Sequence, residues 1–146
     1  MTIKTFSELF NKNYTILRLF NFYGEDMPKS FFLPQLIEKL KNDEDFDMTF
    51  GEQKRDFLHI TDILNAMILA VDEEAYNELF NVCSGEGKTI KEIALELKQL
   101  LKSKSSINFG KLPYRNNEVW EMIGDCSKLK QRLNFSPNEN WITKIS

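Results

Sequence analysis

The chain has 146 residues, of which 42% are hydrophobic and 28% charged, and its formal net charge is −3. That balance is the composition of a soluble globular domain, not of a disordered chain, and a weakly acidic protein lacks the electrostatic footprint of a nucleic-acid binder. No apolar run approaches the ~20 residues that span a bilayer, and the first ten residues lack a signal-peptide layout, so a cytoplasmic location is expected.

From the N-terminus, Ile3, Phe6, Leu9 and Phe10 recur at helical spacing and predict a helix over 2–12. Tyr14 to Phe20 is rich in β-formers and reads as a strand buried on both faces, which would bury Arg18 and oblige it to find partners. Residues 21–28 read as a loop and 30–41 as a helix with Pro34 near its start, where proline costs least. The acidic stretch 43–47 reads as a solvated connection, 48–50 as a short strand and 51–54 as a turn. Thr61 or Asp62 is expected to cap a helix whose stripe is Ile63, Met67, Ile68 and Val71. Residues 79–82 read as a buried strand. Thr89 opens a helix with Ile90, Ile93, Leu97 and Leu100 on one stripe, and Glu92 stands at capping-box spacing. A weak strand at 107–109, an irregular segment at 113–120, a short helix at 127–133 and a fraying end complete the chain. Trp120 and Trp141 are expected to pack, with no assigned role. The order of helices and strands predicts an α/β protein with parallel strands.

Several chemistries are excluded. Gly85-Glu86-Gly87-Lys88-Thr89 ends like a phosphate-binding loop, but Val82 stands where the first glycine is required, so a plain glycine turn is the better reading. There is no G-x-G-x-x-G, no His/Cys cluster for a metal and no G-x-S-x-G elbow beside the single histidine, His59, which reads as structural. Cys83 and Cys126 form no C-x-x-C and read as free thiols in a reducing compartment.

Four segments carry a resemblance. Arg18-Leu-Phe-Asn21-Phe-Tyr23-Gly24 is similar to an R-x-x-N-x-Y-G segment. Gly51-Glu-Gln-Lys-Arg55-Asp56-Phe57 through Asp62 is similar to G-x-x-x-R-D-F-x-x-V-x-D. Phe80-Asn-Val-Cys-Ser-Gly85-Glu-Gly87 followed by Thr89-Ile-Lys-Glu92-Ile resembles Y-N-x-G-x-G and its S-x-x-E-L helix. Arg115-Asn-Asn-Glu118 with Asp125-Cys-Ser-Lys128 behind it resembles R-x-x-E/D followed by D-x-S-K. In this order and spacing the chain resembles the second half of the extended short-chain dehydrogenases/reductases, the NAD-dependent epimerases and dehydratases of nucleotide sugars.

The resemblance implies an α/β fold: incomplete Rossmann-type parallel sheet strands plus the smaller α/β substrate-binding domain. Residues 1–24 would end the cofactor domain, 25–146 would be mainly substrate domain, and strand 79–82 would return to the cofactor sheet. Lys4, with Glu8 behind it, matches the lysine of the catalytic Y-x-x-x-K, whose tyrosine would precede Met1. In the family that lysine bonds the nicotinamide ribose of NAD or NADP and helps the tyrosine act as base; Lys4 is equally well an exposed lysine on a terminal helix. Asn21 matches the amide that reaches the nucleotide diphosphate, or is a strand-end turn residue. Arg55 and Arg115 match two arginines that clamp the diphosphate with planar forks. Otherwise Arg55 pairs with Asp56 or another acid, and Arg115 is a surface charge. Glu118 matches an acid that receives the nucleotide ribose hydroxyls, or is a solvated loop charge. Phe31, Phe32 and Leu36 either wall the pocket or are plain core.

The partner expected on this resemblance is a nucleotide-diphosphate sugar. A missing N-terminal half is a second expected partner, and a homodimer through the first helix a third. The cofactor-side residues are expected to lie outside the chain, which also stops inside what would be a last helix, so the chain alone is expected to be inactive. A non-enzymatic nucleotide-sugar-binding module and a remnant of a broken gene are the alternatives.

Overall fold

The computed structural model describes residues 2–138; Trp141 and the fraying expected of the chain end lie outside them. Five helices, α1 (Ile3–Phe10), α2 (Phe32–Lys41), α3 (Ile60–Leu69), α4 (Ile90–Leu100) and α5 (Ser127–Leu133), alternate with nine short strands. These are β1 (Thr15–Leu19), β2 (Asn21–Tyr23), β3 (Phe46–Asp47), β4 (Lys54–Arg55), β5 (Phe57–His59), β6 (Glu78–Val82), β7 (Lys88–Thr89), β8 (Ile107–Asn108) and β9 (Glu121–Met122). The class is α/β, and four of the five strand pairings are parallel: β1 with β6, β2 with β5, β3 with β8 and β4 with β9, while β4 also meets β7 antiparallel.

Two apolar cores form. In the first, Leu33, Leu36 and Leu40 of α2 meet Ile90, Ile93, Ala94 and Leu97 of α4 over Phe46 and Met48. The 3–4 spacing on both helices puts these residues on facing stripes. Pro34 sits in the first turn of α2, where its missing N–H is harmless. In the second core, Phe80 and Val82 of β6 cluster with Leu58, Ile63 and Ala66 and with Leu129 and Leu133 of α5.

Several expectations are corrected. β1 is not buried on both faces: among the described strands it pairs only with β6, and Leu19 and Arg18 are exposed. Arg18 therefore meets water, and among the described residues its Nη1 makes a long 3.4 Å contact with Asn81 Oδ1. The segment read as a loop begins with β2, and the acidic stretch contributes β3 in place of a strand at 48–50. α3 is capped by His59, whose Nδ1 accepts from Thr61 N–H at 3.2 Å, not by Thr61 or Asp62. Its buried face is Asp62, Ile63 and Ala66; Met67, Ile68 and Val71 are exposed, because only one side of the helix meets the second core. β9 was not expected, since Glu121 and Met122 enter a sheet through backbone pairing to β4 with little burial. Leu100 lies off the buried stripe of α4 and is exposed.

Candidate functional site

The site is built outward from β4. Arg55 closes this central strand of a three-stranded sheet. Its Nη1 donates to the carbonyls of Lys54 at 2.8 Å and Val119 at 2.6 Å, and its Nη2 donates to Glu118 Oε1 at 2.6 Å. The Arg55 and Glu118 side chains are 14% and 13% exposed, so the pair is sheltered from solvent and holds the guanidinium in one orientation. Of the ion-pair partners open from sequence, the acid is Glu118.

Asp56 is engaged elsewhere. It is fully buried, and its carboxylate accepts from Ser84 N–H at 2.8 Å, Ser84 O–H at 2.7 Å, Gly85 N–H at 3.0 Å and Gly124 N–H at 3.2 Å. Two glycines permit this convergence. Gly85 has φ +86°, which side chains disfavour, and a Cβ on Gly124 would stand 2.4 Å from Cys83 Sγ. The same glycine turn leads into β7, where Lys88 is paired with Glu96 at 2.8 and 2.9 Å, in keeping with a turn and not a phosphate loop.

Asn21 opens β2 and pairs in register with Phe57. Its Nδ2 donates to Asp56 O at 3.3 Å, which ties the amide to the same wall. Arg115 and Glu118 belong to the 112–120 segment, which is anchored at both ends. Leu112 N–H donates to Met48 O at 3.2 Å, and Lys54 N–H donates to Trp120 O at 2.7 Å. Between them Glu118 N–H returns to Arg115 O at 3.1 Å. The Tyr114 hydroxyl accepts from Glu52 N–H at 3.1 Å and its ring meets Trp120 edge-on at 4.9 Å.

Asn21, Arg55, Arg115 and Glu118, distant in sequence, line one cleft of about 670 Å³. Phe31 and Phe32 line it too, whereas Leu36 is buried in the first core. Lys4 does not line it; it stands exposed on α1, which buries none of its residues. Sequence reasoning missed Gln53, which lines the cleft with its Oε1 buried and without a hydrogen-bond partner among the described residues. A polar residue in an expected turn gives no signal of burial.

Two other buried groups are chemically quiet. Burial, and then the nearby Asp62, raises the Tyr23 phenol above the ordinary tyrosine range. Burial first, then Asp56 and Cys126, pushes the Cys83 thiol up to about 12, which keeps it protonated and unreactive at neutral pH. Both cysteines are free and buried. Among the described residues no group of three or more His, Cys, Asp or Glu could hold a metal, and no helix is long and apolar enough to cross a membrane.

Residues 1–83 match the family model for the NAD dependent epimerase/dehydratase family. The chain belongs to this family. Its relatives include the CDP-abequose synthase of Salmonella muenchen, 37% identical over 82% of this chain and 41% of the relative. The UDP-N-acetyl-alpha-D-glucosaminuronate decarboxylase of Bacillus cytotoxicus is 35% identical over 87% of this chain and 42% of the relative. Among solved structures, the UDP-glucose 4-epimerase of Thermotoga maritima, with UDP-glucose, superposes with a TM-score of 0.88 at 25% identity, covering 98% of this chain and 48% of that one. The chain thus spans less than half the length of these relatives. The fold of the chain is that of the matching part of this Rossmann-type structure. Lys4 is exposed on α1, and no G-x-G-x-x-G occurs in the sequence.

Proposed function

We propose that this family member supplies the nucleotide-sugar side of an NAD(P)-dependent sugar epimerase, dehydratase or reductase. In this reading, residues 25–146 are mainly the substrate-binding part, to which Asn21 adds its amide, while strand 79–82 returns to the cofactor sheet. Residues 1–24 end the cofactor domain, and Lys4 holds the place of the lysine that bonds the nicotinamide ribose. The observation that carries it is the shared cleft, in which two guanidinium groups, an amide and a carboxylate meet from three separate segments.

Each group has a task suited to its chemistry. Arg55 is held by Glu118 and two carbonyls, which leaves its Nε–H and one Nη2–H to donate to a diphosphate. Arg115 is exposed at the rim and adds a second cation. Glu118 uses Oε1 for Arg55, and its carboxylate has further lone pairs that suit ribose hydroxyls. Asn21 adds a neutral polar contact beside them. Positioning of this kind supplies a large share of a group-transfer rate. Hydride chemistry belongs to the nicotinamide cofactor when bound, and this chain's own contribution is to bind and orient the sugar nucleotide.

Calorimetric titration with UDP and CDP tests the reading. Binding that weakens by about tenfold or more in Arg55→Ala and in Arg115→Ala is the expected result. A wild-type chain that binds neither nucleotide removes it. Turnover of a nucleotide sugar is not expected from the 146 residues by themselves, and cofactor reduction by the purified chain would contradict that expectation.

A further inference from the structure

The two arginines of the cleft are held in different ways. Arg55 is oriented by its own side-chain bonds to Glu118, Lys54 O and Val119 O. Arg115 is exposed, and among the described residues its guanidinium has no hydrogen-bond or ion-pair partner. Where its fork points therefore depends on the backbone beneath it. That backbone belongs to the 112–120 strap, which is tied down on both sides of Arg115. After it, Glu118 N–H donates to Arg115 O at 3.1 Å, and Glu118 is itself paired with Arg55. Before it, the neighbouring Tyr114 makes a double attachment. Its hydroxyl accepts from Glu52 N–H at 3.1 Å and donates to Glu52 Oε2 at 3.2 Å, across 62 positions of chain. Its ring lies edge-on to Trp120, with centroids 4.9 Å apart. Tyr114 does not line the cleft, so these bonds serve the strap and not a ligand directly.

We infer that Tyr114 is a positioning residue, whose latch on Glu52 holds the strap where Arg115 reaches the diphosphate of a bound nucleotide. The inference rests on the nucleotide-sugar reading of the cleft. Without the hydroxyl, the strap would be hydrogen-bonded to the rest of the chain only at Leu112 and from Glu118 onward, with Arg115 in the loosened stretch between. A ligand would then have to order that stretch as it binds, and ordering costs conformational entropy. Arg55 would keep its place, because Glu118 and Val119 are also secured from the far end by the bond from Lys54 N–H to Trp120 O at 2.7 Å. Glu52 is exposed, so its N–H and carboxylate meet water when the phenol oxygen is removed, and the fold loses little. The latch therefore acts on affinity, through Arg115, more than on stability.

Titration of the full chain with UDP and with inorganic pyrophosphate tests this in wild type, Tyr114→Phe, Arg115→Ala and the double variant. Phenylalanine keeps the ring against Trp120 and removes the hydroxyl. The expected result is a loss of about three- to tenfold for both ligands in Tyr114→Phe, with no further loss when Arg115 is already alanine. Equal affinity in wild type and Tyr114→Phe overturns the inference and leaves the cleft reading intact. The same holds for an equal loss in both backgrounds, since the hydroxyl would then act other than through Arg115. A wild-type chain that binds neither ligand overturns both. Where Tyr114→Phe melts well below wild type, or the Arg115→Ala chains bind too weakly to titrate, hydrogen exchange at the Glu52 amide of the wild type decides. Coupling is reciprocal, so saturating UDP should slow that exchange by about three- to tenfold. An unchanged rate at saturation overturns the inference.

Discussion

α1 and α4 start from the same local instructions and reach different ends. Each is opened by a threonine whose hydroxyl accepts from the N–H three residues on, and each repeats apolar residues at helical spacing. α4 buries Ile90, Ile93, Ala94 and Leu97 against α2 and β3. α1 buries nothing, and its Ile3, Phe6, Leu9 and Phe10 are 55%, 45%, 68% and 56% exposed. The cap and the repeat decide where a helix begins and which face is apolar. Whether that face stabilises anything depends on a surface placed opposite it.

The contrast breaks most visibly at core leucines. Leu97→Ala should cost about 2–5 kcal/mol in urea denaturation, because Leu97 is fully buried, whereas Leu9→Ala should stay within about 0.5 kcal/mol. Comparable losses at the two sites would mean that the α1 face is covered after all. Next in size is Asp56→Ala, which strips the acceptor from three backbone N–H groups at once and should cost roughly 3 kcal/mol or more. Thr89→Ala removes one half of a complete capping box and should cost about 1 kcal/mol, while Thr2→Ala at the unpacked helix should be close to silent.

Two smaller effects sharpen the comparison. Bare apolar faces and open strand edges favour association. Phe6→Ser with Phe10→Ser should therefore lower the sedimentation coefficient of any self-associated species without lowering the melting temperature. At the other helix, the Thr89 hydroxyl, then its N–H, holds the Glu92 carboxyl below the usual glutamate range. A depressed carboxylate contributes its stability above its unfolded value, near pH 4 to 4.5 on the ordinary scale of about 4.3, and loses it as the pH falls through the lower folded value. The melting-temperature gap between wild type and Glu92→Gln should accordingly shrink as the pH is taken below about 4.

Much of this was legible in the sequence where local rules dominate. The capping box at Thr89 and Glu92, the stripe of α4 apart from Leu100, and the strand at 78–82 all follow from residues close together in the chain. The class and the family followed from motifs in order. What depends on tertiary neighbours was not legible. Arg18 sits in an apolar run yet faces solvent, because one edge of β1 lacks a described partner strand. Met67 and Ile68 fit a helical stripe but lie off the only side of α3 that meets a core. In the cleft, Arg55, Glu118, Arg115 and Asn21 were each nameable by resemblance. The Arg55–Glu118 ion pair, which joins residues 63 positions apart, and the buried oxygen of Gln53 were not, since both depend on tertiary neighbours.

The Asp56 carboxylate ties the cleft wall to distant parts of the chain. Its bonds join residues 28, 29 and 68 positions away along the chain. Closing loops of that length costs chain entropy that a local helix does not. The wall that carries Arg55 is thus a product of tertiary structure, and it does not stand as a preformed patch on an unfolded chain. Any molecule held there binds the native state alone, so it should raise the stability of the entire chain in proportion to the logarithm of its concentration.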